Sequence, residues 1–360
     1  MYRIILRFKK GNVMADLEKE FRDRTVFVTG ADGFVGSHLL DKLIGLGADV
    51  IAFLESTPHN PVPNISHLID NIKITRGDIT DKHSVDVALK TLKSSQDKPI
   101  ILHLAAQAHV GESWERPLET LMVNTIGTYN VLQAIVDSGI DIHKFDYAGT
   151  AEEFGNPNVN TQDELFHLHE ESPINPTSIY ATSKLAGDFL TLNFFHAYNL
   201  PTVVVRMFNH FGPRQSPRYL TGTIITQALM RDQIVLGNLE PRRDFVFVED
   251  GVDAHLHIAT HGKAGETYCY GHGKDISVKE WAELIVKIGK EMGVWGDKEI
   301  VSSPDRFRPG KSDVLRLRVD YGKLKSLTGW EPKTSWEEGI AKTIKWYAEN
   351  QSKWIGLKDW

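Results

Sequence analysis

Short apolar runs alternate with longer segments of helical periodicity between residues 25 and 206. The runs are rich in Val, Ile and Phe and apolar at nearly every position, which is typical of strands buried on both faces. They lie at 25–29 (TVFVT), 50–54 (VIAFL), 72–75, 100–104 (IILHL), 145–148 and 202–206 (TVVVR). Helical periodicity is clearest at 33–47, 83–93, 117–138 and 178–198. The alternation predicts an α/β fold with a doubly wound parallel sheet.

The regular alternation ends near residue 206, beyond which the chain is richer in Pro, Arg and Gly. Seven of the eight tryptophans lie at or beyond Trp281, where we expect them to pack in a core. We therefore predict three parts. They are an N-terminal tail over 1–22, a main domain over 23–206 with returning segments near 245–272, and a smaller mixed α/β substrate lobe over 207–360.

The composition narrows the class of protein. The 360 residues are 41% hydrophobic and 24% charged, as in a soluble globular chain. Lys and Arg number 41 against 47 acidic residues, which leaves no basic excess for binding nucleic acid. No segment approaches the ~20 apolar residues that span a bilayer. Cys269 is the only cysteine, so no intrachain disulfide can form and a cytoplasmic location is expected.

A glycine-rich motif joins the first predicted strand to the first helix. Gly30, Gly33 and Gly36 allow a tight turn, close approach of backbone N–H groups to a pyrophosphate, and close packing of helix on strand. Glu55 ends the second strand, where a carboxylate accepts hydrogen bonds from ribose hydroxyls and repels a 2′-phosphate. Asp78 follows the third strand and is expected at the adenine edge. These residues predict a dinucleotide-binding (Rossmann) domain that prefers NAD to NADP.

A second motif, YATSK (180–184), lies within a predicted helix. The i, i+4 spacing puts the Tyr180 phenol and the Lys184 ammonium on one face. A nearby cation is expected to lower the pKa of the phenol, which makes Tyr180 a candidate base. Lys184 can also hold the nicotinamide ribose, and Thr150 at the end of the fifth strand completes the candidate group.

Further motifs extend over nearly the whole chain. They include TGADGFVGSHL (29–39), RGDITD (76–81), HLAAQAHVGES (103–113), NTIGTYNVL (124–132), GTAEEFG (149–155), FNHFGPRQSP (208–217), RRDFVFVED (242–250), RPGKSD (308–313) and GWEP (329–332). With these motifs, residues 24–349 resemble the extended short-chain dehydrogenases/reductases that act on nucleotide sugars. The resemblance implies a homodimer built through the helices around 117–138 and 178–198.

The resemblance also implies roles for individual residues. The catalytic group would be Thr150, Glu152, Tyr180 and Lys184. The cofactor would contact Gly30, Asp32, Gly33, Phe34, Val35, Gly36, Glu55, Asp78, Ile79, Leu104, Ala105, Ala106, Tyr180 and Lys184. The nucleotide sugar would contact Asn124, Asn209, Arg214, Arg243 and Arg308, whose guanidinium groups suit phosphate oxygens.

The run GTAEEFG bears most on the reaction. Nucleotide-sugar 4,6-dehydratases carry Thr, then Asp or Ser, then Glu at this place, and this chain has Thr150, Ala151 and Glu152. Glu152 points to removal of the sugar C5 proton, whereas Ala151 departs from the pattern because it cannot protonate the leaving hydroxyl. We therefore expect an NAD-dependent carbon–oxygen lyase of carbohydrate biosynthesis. A 4-keto-6-deoxy-sugar-nucleotide reductase, a 4-epimerase or a decarboxylase stays open, as does a dinucleotide-sensing regulator without activity.

Histidine residues bear on the identity of the nucleotide and on metal binding. His210 follows Asn209 as in GDP-mannose dehydratases, which favours GDP-mannose as the substrate. His103, His109, His255 and His257 have no acidic or cysteine partner at metal-ligand spacing, so we expect no metal.

Overall fold

The computed structural model describes residues 13–56, 62–95, 97–156, 163, 165–310 and 312–358. The strands are β1 (Thr25–Thr29), β2 (Asp49–Glu55), β3 (Lys73–Gly77), β4 (Ile100–His103), β5 (Lys144–Thr150), β6 (Thr202–Met207), β7 (Asn209–Phe211), β8 (Gln233–Leu236), β9 (Arg242–Arg243), β10 (Phe245–Phe247), β11 (Glu266–Tyr270), β12 (Ile276–Ser277) and β13 (Glu299–Ser302).

The α-helices lie mostly between these strands. They are α1 (Val13–Phe21), α2 (Phe34–Gly45), α3 (Lys82–Leu89), α4 (Val110–Glu115), α5 (Pro117–Leu121), α6 (Gly127–Ser138), α7 (Ile179–Tyr198), α8 (Leu220–Met230), α9 (Val248–His261), α10 (Val278–Glu291), α11 (Gly322–Thr328), α12 (Trp336–Glu349) and α13 (Gln351–Trp354). A π-helical turn, Met122–Ile126, joins α5 to α6. Short 3₁₀ turns lie at Ser66–Asn71, Lys90–Ser94, Ala151–Phe154, Pro304–Arg306 and Ile355–Leu357.

The main sheet is parallel throughout the described chain, in the strand order β11-β6-β5-β4-β1-β2-β3. Successive residues of β1 face opposite sides: Val26 and Val28 pack in one core with α2 and α9, and Phe27 packs in the other with α3 and α7. Burial on both faces is the reason why the central strands are apolar at most positions. The predicted doubly wound α/β sheet is confirmed.

The strand order reverses between β1 and β4, which pair with each other at the centre of the sheet. The loops that follow two such strands diverge to opposite faces, and the crevice between them is the usual ligand site of an open α/β sheet. The fold therefore places the glycine-rich loop after β1 beside the loop after β4.

The predicted N-terminal tail is wrong for part of its length. Residues 1–12 lie outside the described residues, but residues 13–21 form α1, whose Leu17 and Phe21 are buried in the core beside α9. The helix is short and charged on its outer face. Its two buried apolar residues form too weak a helical periodicity to predict a helix from the sequence.

Beyond residue 207, the chain forms a second core around α8, α10 and α12. Trp281 is buried there, stacks on Phe245 and donates its indole N–H to Thr221 Oγ1 at 3.1 Å. Trp354 is buried in the same cluster, so both take the expected core role. The boundaries of the lobes stay a prediction. Over the described residues, no helix has the length and apolar character that crossing a membrane requires.

Candidate active site

A cavity of about 1030 Å³ opens at the carboxyl ends of the central strands and is closed on its far side by residues beyond 207. Most residues predicted for cofactor and substrate line it. They are Gly30, Asp32, Gly33, Phe34, Val35, Gly36, Glu55, Asp78, Ile79, Leu104, Ala105, Ala106, Thr150, Glu152, Tyr180, Asn209, Arg214, Arg243 and Arg308. Lys184 and Asn124 are not among the lining residues.

The glycine-rich loop leaves no room for side chains. Gly30 has a φ of +66°, and a Cβ there would lie 2.8 Å from Ala105 N. A Cβ on Gly36 would lie 2.2 Å from Gly30 O, so helix α2 can approach β1 only with glycine here. Gly33 caps α2, and no side chain of the described residues caps its first turn. The backbone N–H groups of that turn line a cradle that fits a pyrophosphate.

A threonine and a histidine that the sequence analysis did not assign to this site hold the loop after β4 in place. Thr29 Oγ1 lies 2.8 Å from His103 Nδ1 and accepts a hydrogen bond from Ala105 N at 3.1 Å. Burial, and then the charge of Lys184, lower the pKa of His103 to about 3. His103 is therefore neutral and acts in the packing of the two loops.

Two acidic residues lie at the open end of the cavity, after β2 and β3. Glu55 and Asp78 are both exposed, so their carboxylates can accept hydrogen bonds from a ligand. Asp78 Oδ1 also accepts from Thr80 N at 2.8 Å, which closes the turn after β3. The cradle and these acceptors together fit an adenosine dinucleotide.

Tyr180 and Thr150 both line the cavity and are joined by a side-chain hydrogen bond. Thr150 ends β5, and Tyr180 lies in the first turn of α7, where Ser178 accepts from Ala181 N at 3.0 Å and caps the helix. Burial raises the pKa of Tyr180 well above its ordinary value, and the hydrogen bond with Thr150 opposes only part of that rise. The expected net lowering of the phenol pKa is therefore wrong for this chain, because burial has the largest effect on it.

Lys184 lies one turn further along α7 and is buried. Its Nζ is 4.3 Å from the centre of the Tyr147 ring, and Tyr147 donates its hydroxyl to Lys184 O at 3.0 Å. Burial lowers the pKa of Lys184 to about 8, while Glu153 and Asp188 oppose that effect. The ammonium group is therefore mostly protonated at neutral pH.

Glu152 lies in the cavity wall, two residues after Thr150. Arg308 Nη1 donates to Glu152 Oε2 at 3.3 Å, and Asp313 lies 3.7 Å from the Nε of the same arginine. Burial raises the pKa of Glu152, but Arg308 and Arg243 outweigh it and bring the pKa below its ordinary value. Glu152 is therefore an ionised carboxylate in a largely dry place, which is a suitable state for a base.

Ala151 also lines the cavity, between Thr150 and Glu152. Its methyl group packs in a small cluster with Phe154 and Phe208. The position that carries an acid or a hydroxyl in the dehydratase pattern is apolar here, so any proton for a leaving group must come from elsewhere.

The predicted substrate-binding residues differ in what they can offer. Asn209 Oδ1 is buried without a hydrogen-bond partner among the described residues, and Asn209 lines the cavity. Arg243 donates to Val314 O at 2.7 Å and lies 3.5 Å from Asp313. Arg214, whose backbone φ is 70°, forms an ion pair with Asp41 at 2.7 Å. An unpartnered amide oxygen and partly engaged arginines suit a polar, anionic ligand.

The structure corrects the predicted role of Asn124. Its side chain is buried, accepts from Gln107 N at 2.8 Å, and donates to Gln107 O at 3.0 Å and to Ser183 Oγ at 2.9 Å. All of these contacts are within the protein, so the predicted contact with substrate is wrong. Asn124 instead ties the loop after β4 to α7.

Sequence reasoning missed several groups at the site. Glu112 lines the cavity and pairs with Arg218 at 3.0 Å, and Tyr219 stacks edge-on against His109. Glu112 and His109 lie inside the motif at 103–113, and this was the only signal for them. Within the described residues, no group of three or more His, Cys, Asp or Glu side chains is placed to hold a metal ion.

Known proteins resemble the chain over most of its length. The family model for GDP-mannose 4,6-dehydratase matches residues 27–343. The dTDP-D-glucose 4,6-dehydratase of Mus musculus is 32% identical over 340 residues, which is 92% of this chain and 90% of the mouse protein.

Solved structures of nucleotide-sugar enzymes are also similar to this chain. A dTDP-glucose 4,6-dehydratase from Streptomyces venezuelae with NAD bound has a TM-score of 0.79 and 26% identity, covering 93% of this chain and 100% of that one. A UDP-glucose 4-epimerase from Thermotoga maritima with UDP-glucose has a TM-score of 0.78 and 30% identity, covering 91% and 99%. The predicted family, fold class and NAD cofactor are confirmed. The chain belongs to the GDP-mannose 4,6-dehydratase family of extended short-chain dehydrogenases/reductases and is an NAD-dependent enzyme of nucleotide-sugar chemistry.

Proposed function

We propose that this protein is a nucleotide-sugar 4,6-dehydratase, which converts a nucleotide hexose to its 4-keto-6-deoxy derivative. The observation that carries the proposal is Glu152, an ionised carboxylate in the cavity wall beside Thr150 and Tyr180. A 4-epimerase needs the tyrosine and the cofactor but no carboxylate base at this place. The 4,6-dehydratase names of the family model and of relatives support the same reaction.

The first step is oxidation of the sugar at C4. NAD, when bound, supplies the hydride acceptor and later the donor, so the net reaction consumes no cofactor. Tyr180 takes the proton of the 4-hydroxyl, and Thr150 holds the phenol through their hydrogen bond. Because burial raises the pKa of Tyr180, the phenol is protonated in the unliganded protein. We propose that the positive charge of buried Lys184, together with that of the nicotinamide ring when NAD⁺ is bound, would lower this pKa so that Tyr180 can accept the proton. The glycine cradle and Glu55 hold the dinucleotide.

The second step is elimination of water. The new 4-ketone acidifies the C5 proton, and Glu152 removes it. Because Ala151 has no proton to give, we propose that Glu152 then passes the acquired proton to the 6-hydroxyl as it leaves. One carboxyl group would thus act as base and then as acid. Return of the hydride to C6, with protonation at C5, gives the 6-deoxy product.

Arg243, Arg308 and Asn209 are proposed to bind the diphosphate and the sugar. All three residues line the cavity. The guanidinium groups of the two arginines suit phosphate oxygens. The sequence favoured GDP-mannose through His210, but burial lowers the pKa of His210 to about 3, and its Nε2 lies 2.9 Å from the Tyr270 hydroxyl. His210 is therefore engaged with the protein, and we rank dTDP-glucose, the substrate named for the mouse relative, ahead of GDP-mannose.

The proposal is tested by mass spectrometry of the purified protein with NAD⁺ and one candidate at a time: dTDP-glucose, UDP-glucose, UDP-N-acetylglucosamine or GDP-mannose. Loss of one water from a single substrate supports dehydration and identifies the nucleotide. An isobaric product with a new retention time would mean epimerisation. Gain of two hydrogens on a 4-keto-6-deoxy sugar with added NADH or NADPH would mean a reductase. Cofactor binding without any turnover would mean a regulator.

We also propose that the protein forms a homodimer through helices α5 to α7. Apolar side chains on these helices are unusually exposed, with Leu118 at 71% and Phe189 at 52%. Exposed apolar clusters of this kind mark protein contacts. A cytoplasmic location stays a prediction from the cysteine content.

A further inference from the structure

Two buried carboxyl groups lie behind the proposed catalytic residues and do not line the cavity. Glu153 directly follows Glu152, and Asp188 lies four residues after Lys184 on α7. Both are 0% exposed. A carboxyl group buried this deeply is costly unless it is paired, so the two acids call for a structural or chemical reason.

One arginine holds both acids. Arg206 of β6 donates its Nε to Glu153 Oε2 and to Asp188 Oδ2, each at 2.9 Å. The two carboxyl groups also meet over Gly149 of β5, where a Cβ would lie 2.9 Å from Asp188 Oδ1 and 3.1 Å from Glu153 Oε1. The 3₁₀ turn after β5, helix α7 and strand β6 are therefore joined at a single point.

The cluster touches the catalytic group on two sides. Glu153 Oε1 accepts a hydrogen bond from Thr150 N at 2.8 Å, which fixes the end of β5. On the other side, Asp188 lies one helical turn after Lys184 on the same face of α7, and the negative charge of the two acids acts on Lys184. Burial, and then the charge of Asp188, raise the pKa of Glu153 well above its ordinary value; burial also raises the pKa of Asp188, and Arg206 opposes both rises. The charge that acts on Lys184 is therefore that of the pair and not one full charge on each acid. The cluster therefore contacts Thr150, which holds Tyr180, and also acts on the buried ammonium group of Lys184.

The other titratable groups near Lys184 do not supply a compensating negative charge. From β5 it faces the ring of Tyr147, and Tyr180 lies one turn before it on α7, both with a pKa raised by burial. From β4 it faces His103, which is neutral. Arg206 on β6 is itself a cation. Among the described residues, the counter-charge for Lys184 thus comes from Glu153 and Asp188.

We infer that Glu153 and Asp188 are positioning residues that fix Thr150 and provide the negative charge which keeps Lys184 protonated, with Arg206 holding the two acids together. Burial alone favours the neutral amine, because a charged group loses its hydration. The pKa of Lys184 stays at about 8 with both acids in place. This role serves hydride transfer at the site whatever the sugar or the later step, so it does not rest on dehydration.

The test measures NAD⁺ affinity by calorimetry from mildly acidic to alkaline pH, and therefore needs no substrate. Lys184→Met identifies the inflection that belongs to Lys184, which is expected near pH 8 in the unaltered protein. In the double variant Glu153→Gln, Asp188→Asn, this inflection should move to lower pH by about one unit or more, a tenfold or greater loss of proton affinity. Each single amide variant should move it less, because the remaining carboxyl group takes over the charge.

Two controls separate charge from packing. Glu153→Asp keeps the charge and should leave the inflection in place. Asp146→Asn changes a buried acid of β5 that pairs with His255, and should also leave it in place. If thermal unfolding shows that the double variant is not folded, the triple variant with Arg206→Met, which removes the stranded cation, replaces it. The inference is overturned if a folded double or triple variant keeps the inflection at its original pH. It is also overturned if the unaltered protein shows no inflection that is lost in Lys184→Met.

Discussion

The pairing of Glu152 with Arg308 predicts a specific change in pH dependence. Arg308 Nη1 lies 3.3 Å from Glu152 Oε2, and its side chain is 28% exposed. At this distance, Coulomb's law gives about 5 kcal/mol at an effective dielectric constant of ~20 and about 1 kcal/mol in water. Because the arginine is partly solvated and Arg243 remains, we expect Arg308→Met to raise the pKa of Glu152 by about 1 to 2 units.

The sign follows from the role of Glu152 as a base. The carboxylate must be ionised, so activity is lost as the pH falls through its pKa. In Arg308→Met that loss should begin at higher pH, and kcat/KM is the quantity to follow because it reports the pKa values of the free enzyme. The variant should also bind substrate more weakly, which lowers the whole profile without moving its acidic limb. Arg308→Lys keeps the charge and is the matched control. An acidic limb at the same pH in Arg308→Met and in the unaltered enzyme would refute the assignment of Glu152.

Three further predictions concern other parts of the molecule. Glu152→Gln should lower the rate of dehydration by about 10²- to 10⁴-fold, the usual contribution of a general base, while the absorbance of reduced nicotinamide still appears with substrate. Dehydration at the normal rate would contradict its role. Glu55→Ala should weaken NAD⁺ and strengthen NADP⁺ binding in fluorescence titrations, and unchanged relative affinities would count against Glu55. Phe189→Asp should give a monomer in light scattering after gel filtration, whereas Lys263→Asp on an exposed surface elsewhere should not; a Phe189→Asp dimer would exclude the proposed interface.

The parts of the protein that depend on local sequence were predicted well. Strand β1 is buried on both faces, so its three central residues are apolar without interruption, and such runs are enough to predict the sheet. Gly36 is required by a backbone contact within the motif itself, and the positive φ of Gly30 is also a local property of the turn. Tyr180 and Thr150 likewise belong to short motifs, and the fold brings them together.

The parts that depend on contacts between distant residues were not predicted. Glu152 meets Arg308 and Glu153 meets Arg206 only in the folded chain, and no spacing rule connects them. The pKa of Tyr180 was misjudged because the motif shows the nearby lysine but not the burial of the ring. Asn124 was assigned to substrate because its helix was known but not the direction of its side chain.

The proposed mechanism is a closed redox cycle in which Tyr180 and Glu152 act in turn on one sugar. The measurement that tests it most directly uses a substrate labelled with deuterium at C4, converted in ordinary water and examined by NMR. The deuterium should appear in the C6 methyl group of a 4-keto product. Label that returns to C4 would show that no elimination occurs, and label lost to the medium would show that the hydride is not returned to the same sugar. Either result would contradict the closed cycle.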